Sequence, residues 1–142
     1  MHTEAAQLKF TLFEQAVLAP LGDRKLTESE AFVASFLLPA RTQDPFTLDQ
    51  IAEALTEHNG GARTGERTIK SIIRSLRKVH GFPVLSRKHP PHGYWWGQSA
   101  DEMKEFVREF RSQPMDELHT LSVMVKRNYP DLVGQLKFEE VT

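Results

Sequence analysis

The chain has 142 residues, no cysteine, and 18 basic residues against 19 acidic ones. That length suits one compact domain with a terminal extension, able to bury a core without staples. The missing cysteines exclude a disulfide framework, a Cys-based zinc site and a thiol nucleophile, and they fit a reducing compartment.

Met1-His2-Thr3-Glu4 lacks the basic stretch and apolar run of a signal peptide, and no stretch approaches the roughly 18 apolar residues of a membrane span. Residues 1–25 read as an N-terminal arm. Its Leu8, Phe10, Leu12, Phe13, Ala16 and Val17 fit a short helix ending near Pro20, while the alternation over Leu8–Leu12 fits a strand equally well.

Thr27-Glu28-Ser29-Glu30 is a capping box, in which Thr and Glu each bond the other's backbone amide. Behind it Phe32, Val33, Phe36 and Leu37 repeat at helical spacing until Pro39. Residues 40–46 read as a loop. Thr47-Leu48-Asp49-Gln50 is a second capping box, followed by an apolar stripe of Leu48, Ile51, Ala52 and Leu55 and a turn at Asn59-Gly60-Gly61. A third helix opens near Thr64 or Glu66 and runs to about Val79. Its Ile69, Ile72, Ile73 and Leu76 form one buried stripe. After His80-Gly81, residues 82–87 read as a strand, 88–93 as a turn and Tyr94-Trp95-Trp96 as the returning strand. Ser99-Ala100-Asp101-Glu102 is a third capping box, opening a helix with Met103, Phe106, Val107 and Phe110 on one face. Pro114 interrupts it. Asp116 then caps a last helix through Leu118, Leu121 and Val125 to about Asn128.

Charge is unevenly placed along this order. Between Ala62 and His92 stand Arg63, Arg67, Lys70, Arg74, Arg77, Lys78, Arg87 and Lys88, with Glu66 the only acid. A basic block in an acidic frame is the asymmetry expected where one face meets a polyanion. A solvated helix face is the plainer alternative, but such faces usually mix the two signs.

Two helices joined by a glycine turn, the second rich in Arg, Lys, Ser and Thr, have the helix-turn-helix layout. Arg pairs bidentately with guanine, Lys supplies charge to phosphate, and short hydroxyls let the backbone approach. Arg67, Lys70, Ser71 and Arg74 line one outward face at i, i+3, i+4 and i+7. Thr68, Arg77 and Lys78 extend the basic helix, and Arg63 and Thr64 reach backbone phosphate near its start. Arg87, Lys88, His89 and His92 gather at the hairpin tip, where Pro90-Pro91 stiffens the loop.

The runs Ile72-Ile73-Arg74-Ser75-Leu76-Arg77, Gly81-Phe82-Pro83-Val84-Leu85-Ser86, His92-Gly93-Tyr94-Trp95-Trp96 and Ser99-Ala100-Asp101-Glu102-Met103, with Arg111-Ser112 beyond, carry a resemblance. This pattern resembles the winged helix-turn-helix superfamily, and more narrowly the small phage and prophage winged-helix DNA-binding proteins. The likeness covers about residues 47–125 and departs from the family in its longer tip, Arg87 to His92. It implies a winged helix-turn-helix; with the elements read above, the expected fold is mainly α with a small β-hairpin: an arm (1–25), a winged helix-turn-helix (26–98) and a C-terminal helical extension (99–142). It also implies a double-stranded DNA-binding protein, either a phage-type transcription regulator or a replication or recombination accessory factor. The expected location is cytoplasmic, at the host nucleoid if the protein is phage-encoded.

In an alternating strand one of Trp95 and Trp96 faces the core and the other faces outward, where it could stack on single-stranded bases. His80, His89 and His92 lack the partners of a tetrahedral metal set, so neither metal nor cofactor is expected. With no Walker Lys, G-x-S-x-G or H-E-x-x-H, an enzyme is not expected. Phe106, Val107, Phe110, Leu118, Leu121 and Val125, with Leu132, Val133 and Leu136, fit either packing on the core or a homodimer seam. The rival of another class is a protein-interaction module docking on a polymerase or other host or phage protein.

Overall fold

A computed structural model of the protein describes residues 25–110 and 115–133. The rest of the expected N-terminal arm, together with Pro114, Arg111-Ser112 and Leu136, lies outside the described residues. The described chain is mainly helical, with a small two-stranded antiparallel sheet. In order it forms α1 (Glu28–Leu37), α2 (Leu48–His58), α3 (Glu66–Lys78), β1 (Val84–Ser86), β2 (Tyr94–Trp96), α4 (Ala100–Phe110) and α5 (Met115–Asn128). The sheet is shorter than residues 82–87 predict, and α5 begins one residue before the Asp116 expected to cap it.

Local chemistry starts the first two helices. Thr27 Oγ1 accepts from Glu30 N–H at 3.1 Å while Glu30 Oε1 accepts from Thr27 N–H at 2.8 Å. Thr47 and Gln50 repeat the exchange at 3.2 and 2.8 Å. Each box satisfies two helix-end amides, and losing the cap costs about 1 kcal/mol. Gly60 and Gly61 then turn the chain at φ 71° and 92°, backbone that side-chain-bearing residues rarely adopt.

Two apolar cores result. In the first, Val33, Leu37, Ile51, Leu55, Ile69, Ile73 and Leu76 interlock from α1, α2 and α3, with Phe82, Val84 and Trp96 closing one side. Ile72 is only half-buried at the rim. The second joins Met103, Phe106 and Val107 of α4 to Leu121, Met124 and Val125 of α5, over Ala40, Leu85 and Trp95.

The hairpin is the wall between them. Val84 pairs with Trp96 and Leu85 with Trp95; side chains alternate across a strand, so the first pair faces one core and the second faces the other. Both tryptophans are therefore buried, at 5% and 6% exposure, and the expectation of an outward indole is corrected. The reason is α4 and α5, which cover the face that would otherwise meet water. Burial also leaves the Trp95 N–H in need of an acceptor, and Glu102 Oε1 takes it at 2.7 Å. Only half of the third capping box therefore forms in the described contacts, Ser99 Oγ accepting from Glu102 N–H at 3.2 Å.

Residues 40–46 are more than a loop. Phe46 and Tyr94 exchange backbone hydrogen bonds at 2.9 and 2.8 Å, and Trp96 N–H donates to Ala40 at 3.2 Å. The segment supplies backbone partners to the edge of β2 that faces away from β1.

One polar cluster ties α1 to the end of α3. The Glu30 carboxylate accepts from the Ser75 hydroxyl and lies 3.4 Å from Nε2 of His80, itself 1% exposed. Burial pushes the Glu30 pKa up, but the Ser75 and Thr27 hydrogen bonds and the His80 charge outweigh it and hold the group below its ordinary 4.5. Glu30 thus contributes stability that is present above pH 4.5 and lost as pH falls through the lowered folded value. Glu30→Gln is expected to cost about 1–2 kcal/mol in urea titrations at pH 7. The difference from the parent should shrink below pH 4.5; a gap constant from pH 7 to 3 would contradict this account.

Candidate nucleic-acid interface

Helix α3 sets the geometry of the basic block. Ile69, Ile73 and Leu76 are buried on one side, so the residues about half a turn away must face out. Arg67, Thr68, Lys70, Ser71, Arg74 and Lys78 are all exposed. Four of these six are cationic, and the two hydroxyls between them are short. Gly65 provides no side-chain cap for the first amides of α3. Backbone N–H groups in that position favour an anion.

The start of the stripe is bounded by opposite charge. A groove of about 640 Å³ between α2 and the approach to α3 is lined by Asp49, Glu53, Thr56, Arg63 and Glu66. Thr64, half-buried there, is held by its N–H donating to Thr56 Oγ1 at 2.9 Å. Arg63 is exposed but shares its surface with three carboxylates, a mixed field that attracts a polyanion less than the stripe does.

Two of the candidate cations do structural work. Arg77 donates from Nε to the Val84 carbonyl at 2.7 Å and from Nη2 to Ser86 Oγ at 3.0 Å, and its guanidinium lies over the rings of Tyr94 and Phe106. Arg87 donates to the Thr42 carbonyl at 2.8 Å and to its hydroxyl, with its guanidinium 4.4 Å from the Trp95 ring centroid. Helical spacing shows which way Arg77 leaves α3 but not that β1 returns alongside it. Guanidinium suits this task, since its flat faces cover aromatic rings while its edge donates. Arg77→Ala is expected to lower stability by about 1–3 kcal/mol, against less than about 0.5 kcal/mol for exposed Lys78→Ala. Urea denaturation of the two variants side by side checks this; equal midpoints would refute it.

At the hairpin tip, Lys88, His89 and His92 are exposed. His92 Nε2 sits 3.1 Å from the Lys88 carbonyl and His89 Nδ1 is 3.3 Å from that of Pro90, which folds the tip on itself. Sequence reasoning missed Glu109, whose Oε1 accepts from Lys88 N–H at 2.7 Å. No local pattern signals a contact between residues 21 positions apart.

Among the described residues no group of three or more His, Asp or Glu is placed to hold a metal ion, and no helix is long and apolar enough to cross a membrane. Comparison of the chain with protein-family models, curated proteins and solved structures returns no match.

Proposed function

We propose that the chain binds double-stranded DNA as a winged helix-turn-helix protein, with α2 and α3 as the helix pair and the β1–β2 hairpin as the wing. The observation that carries this reading is the exposed stripe of Arg67, Lys70, Ser71, Arg74 and Lys78 on a helix whose opposite side is buried. A cylinder of this kind fits the major groove, with Arg and Lys reaching guanine edges and phosphates. Lys88, His89 and His92 grip the neighbouring backbone, while Arg77 and Arg87 hold the wing in place. Such a module serves a phage-type transcription regulator or a replication or recombination accessory factor equally well.

The stacking reading for single strands loses its basis, because neither Trp95 nor Trp96 is exposed. Fluorescence polarisation with labelled duplex and single-stranded DNA at two salt concentrations tests the proposal. Duplex should be preferred, and its affinity should fall steeply with salt. Binding to neither form at low salt would overturn the reading in favour of a protein-docking module.

A further inference from the structure

The contact between the hairpin tip and α4 places a carboxylate where an anion is wanted. Lys88 N–H donates to Glu109 Oε1 at 2.7 Å, and the Lys88 ammonium lies 5.2 Å from the centroid of the Phe110 ring. Phe110 packs on Phe106 at 4.6 Å, and Phe106 lies 5.1 Å from the Arg77 guanidinium. A continuous chain of contacts therefore runs from α3 through the end of α4 to the tip. A carboxylate oxygen on the backbone amide of an exposed lysine takes the kind of hydrogen bond that a phosphate oxygen takes at an anion site.

We propose that Glu109 fills an anion site of the hairpin tip, centred on the Lys88 amide, which a phosphate of the DNA backbone takes over on binding. The identity of that anion rests on the duplex-binding reading above. Glu109 acts in three ways. It fixes the tip in the free protein, and it must leave the Lys88 amide before a phosphate can reach it. Its negative charge also repels the incoming backbone. Glutamine keeps an oxygen able to accept from the amide but carries no charge, so Glu109→Gln retains the tip's position while replacing a charged competitor by a weaker, neutral one.

Duplex affinity of Glu109→Gln should rise about three- to tenfold at low salt, with the gain shrinking as salt screens the charge. Glu105→Gln is the control. Glu105 is exposed, one turn earlier on α4, and its loss changes net charge equally. It should shift affinity by less than about twofold if charge acts locally. In parallel, tripolyphosphate is titrated into Glu109→Gln and the parent while the Lys88 amide is followed in ¹H–¹⁵N spectra. The amide should move at lower tripolyphosphate concentration in the variant. In protein that binds duplex, equal affinities for the Glu105→Gln and Glu109→Gln variants overturn the proposal, and a Lys88 amide unmoved in Glu109→Gln overturns it in any case. A Lys88 amide that responds in protein that binds no duplex keeps the anion site and removes the DNA reading. Duplex binding without a Lys88 response does the reverse.

Discussion

Replacing Arg67, Lys70 and Arg74 together by alanine is expected to weaken duplex binding about 100-fold at physiological salt. All three side chains are exposed on α3, and the buried stripe is untouched by their removal. Each lost phosphate or base contact is worth about 1 kcal/mol or more, and 1.4 kcal/mol is tenfold in affinity. If the three act mainly on phosphates, the slope of log affinity against log salt should become shallower by about 2.7. If they read bases instead, the slope changes little while discrimination between duplex sequences collapses. Thermal melting separates either result from misfolding, since exposed substitutions shift stability by only about 0.5 kcal/mol each. A triple variant with parental affinity and an unchanged melting curve would exclude α3 as the contact helix.

The second large effect concerns the backbone of the hairpin. Gly93 sits at φ +145°, and a Cβ added there would lie 2.7 Å from the Phe46 carbonyl oxygen and 3.0 Å from its carbon. Neither atom can yield cheaply, because Phe46 and Tyr94 exchange the two hydrogen bonds that hold residues 40–46 to β2. Backbone strain alone costs about 1–3 kcal/mol at such a position, and the clash adds to it. Gly93→Ala is expected to destabilise the protein by about 3 kcal/mol or more, a fall in Tm of roughly 10 °C. Gly65→Ala is the contrast, because a Cβ there meets nothing within 4 Å. It should stay within about 1 kcal/mol. Equal melting temperatures for the two variants would refute the geometric account.

What could be read from sequence was whatever neighbours in sequence decide. Thr27 with Glu30 and Thr47 with Gln50 are four-residue chemistry, and both boxes form as their spacing requires. The stripe of Ile69, Ile73 and Leu76 places the exposed cations of α3 by periodicity alone. Long-range packing was not readable in this way. Arg77 and Lys78 are adjacent and both basic, yet only the return of β1 makes Arg77 a brace and leaves Lys78 exposed. Trp95 faces inward because α4 and α5 cover its side of the hairpin. Phe106, Val107, Leu121 and Val125, open at first to packing or to a homodimer seam, are buried within the chain itself. The Glu30–Ser75–His80 cluster joins residues 45 or more positions apart and carries no local signature.

A hairpin buried on both faces raises a question of alignment. In most hairpins a slip of one residue is forbidden because it turns the apolar set toward water. Here Val84, Leu85, Trp95 and Trp96 would remain apolar on either face, so polarity does not choose the pairing. The choice falls to fixed points around the strands. Arg77 grips the Val84 carbonyl and the Ser86 hydroxyl, Glu102 holds the Trp95 indole, and Phe46 locks Tyr94. The polar braces of this small sheet are thus its register pins, and the position of the tip that meets DNA in the proposed complex follows from them.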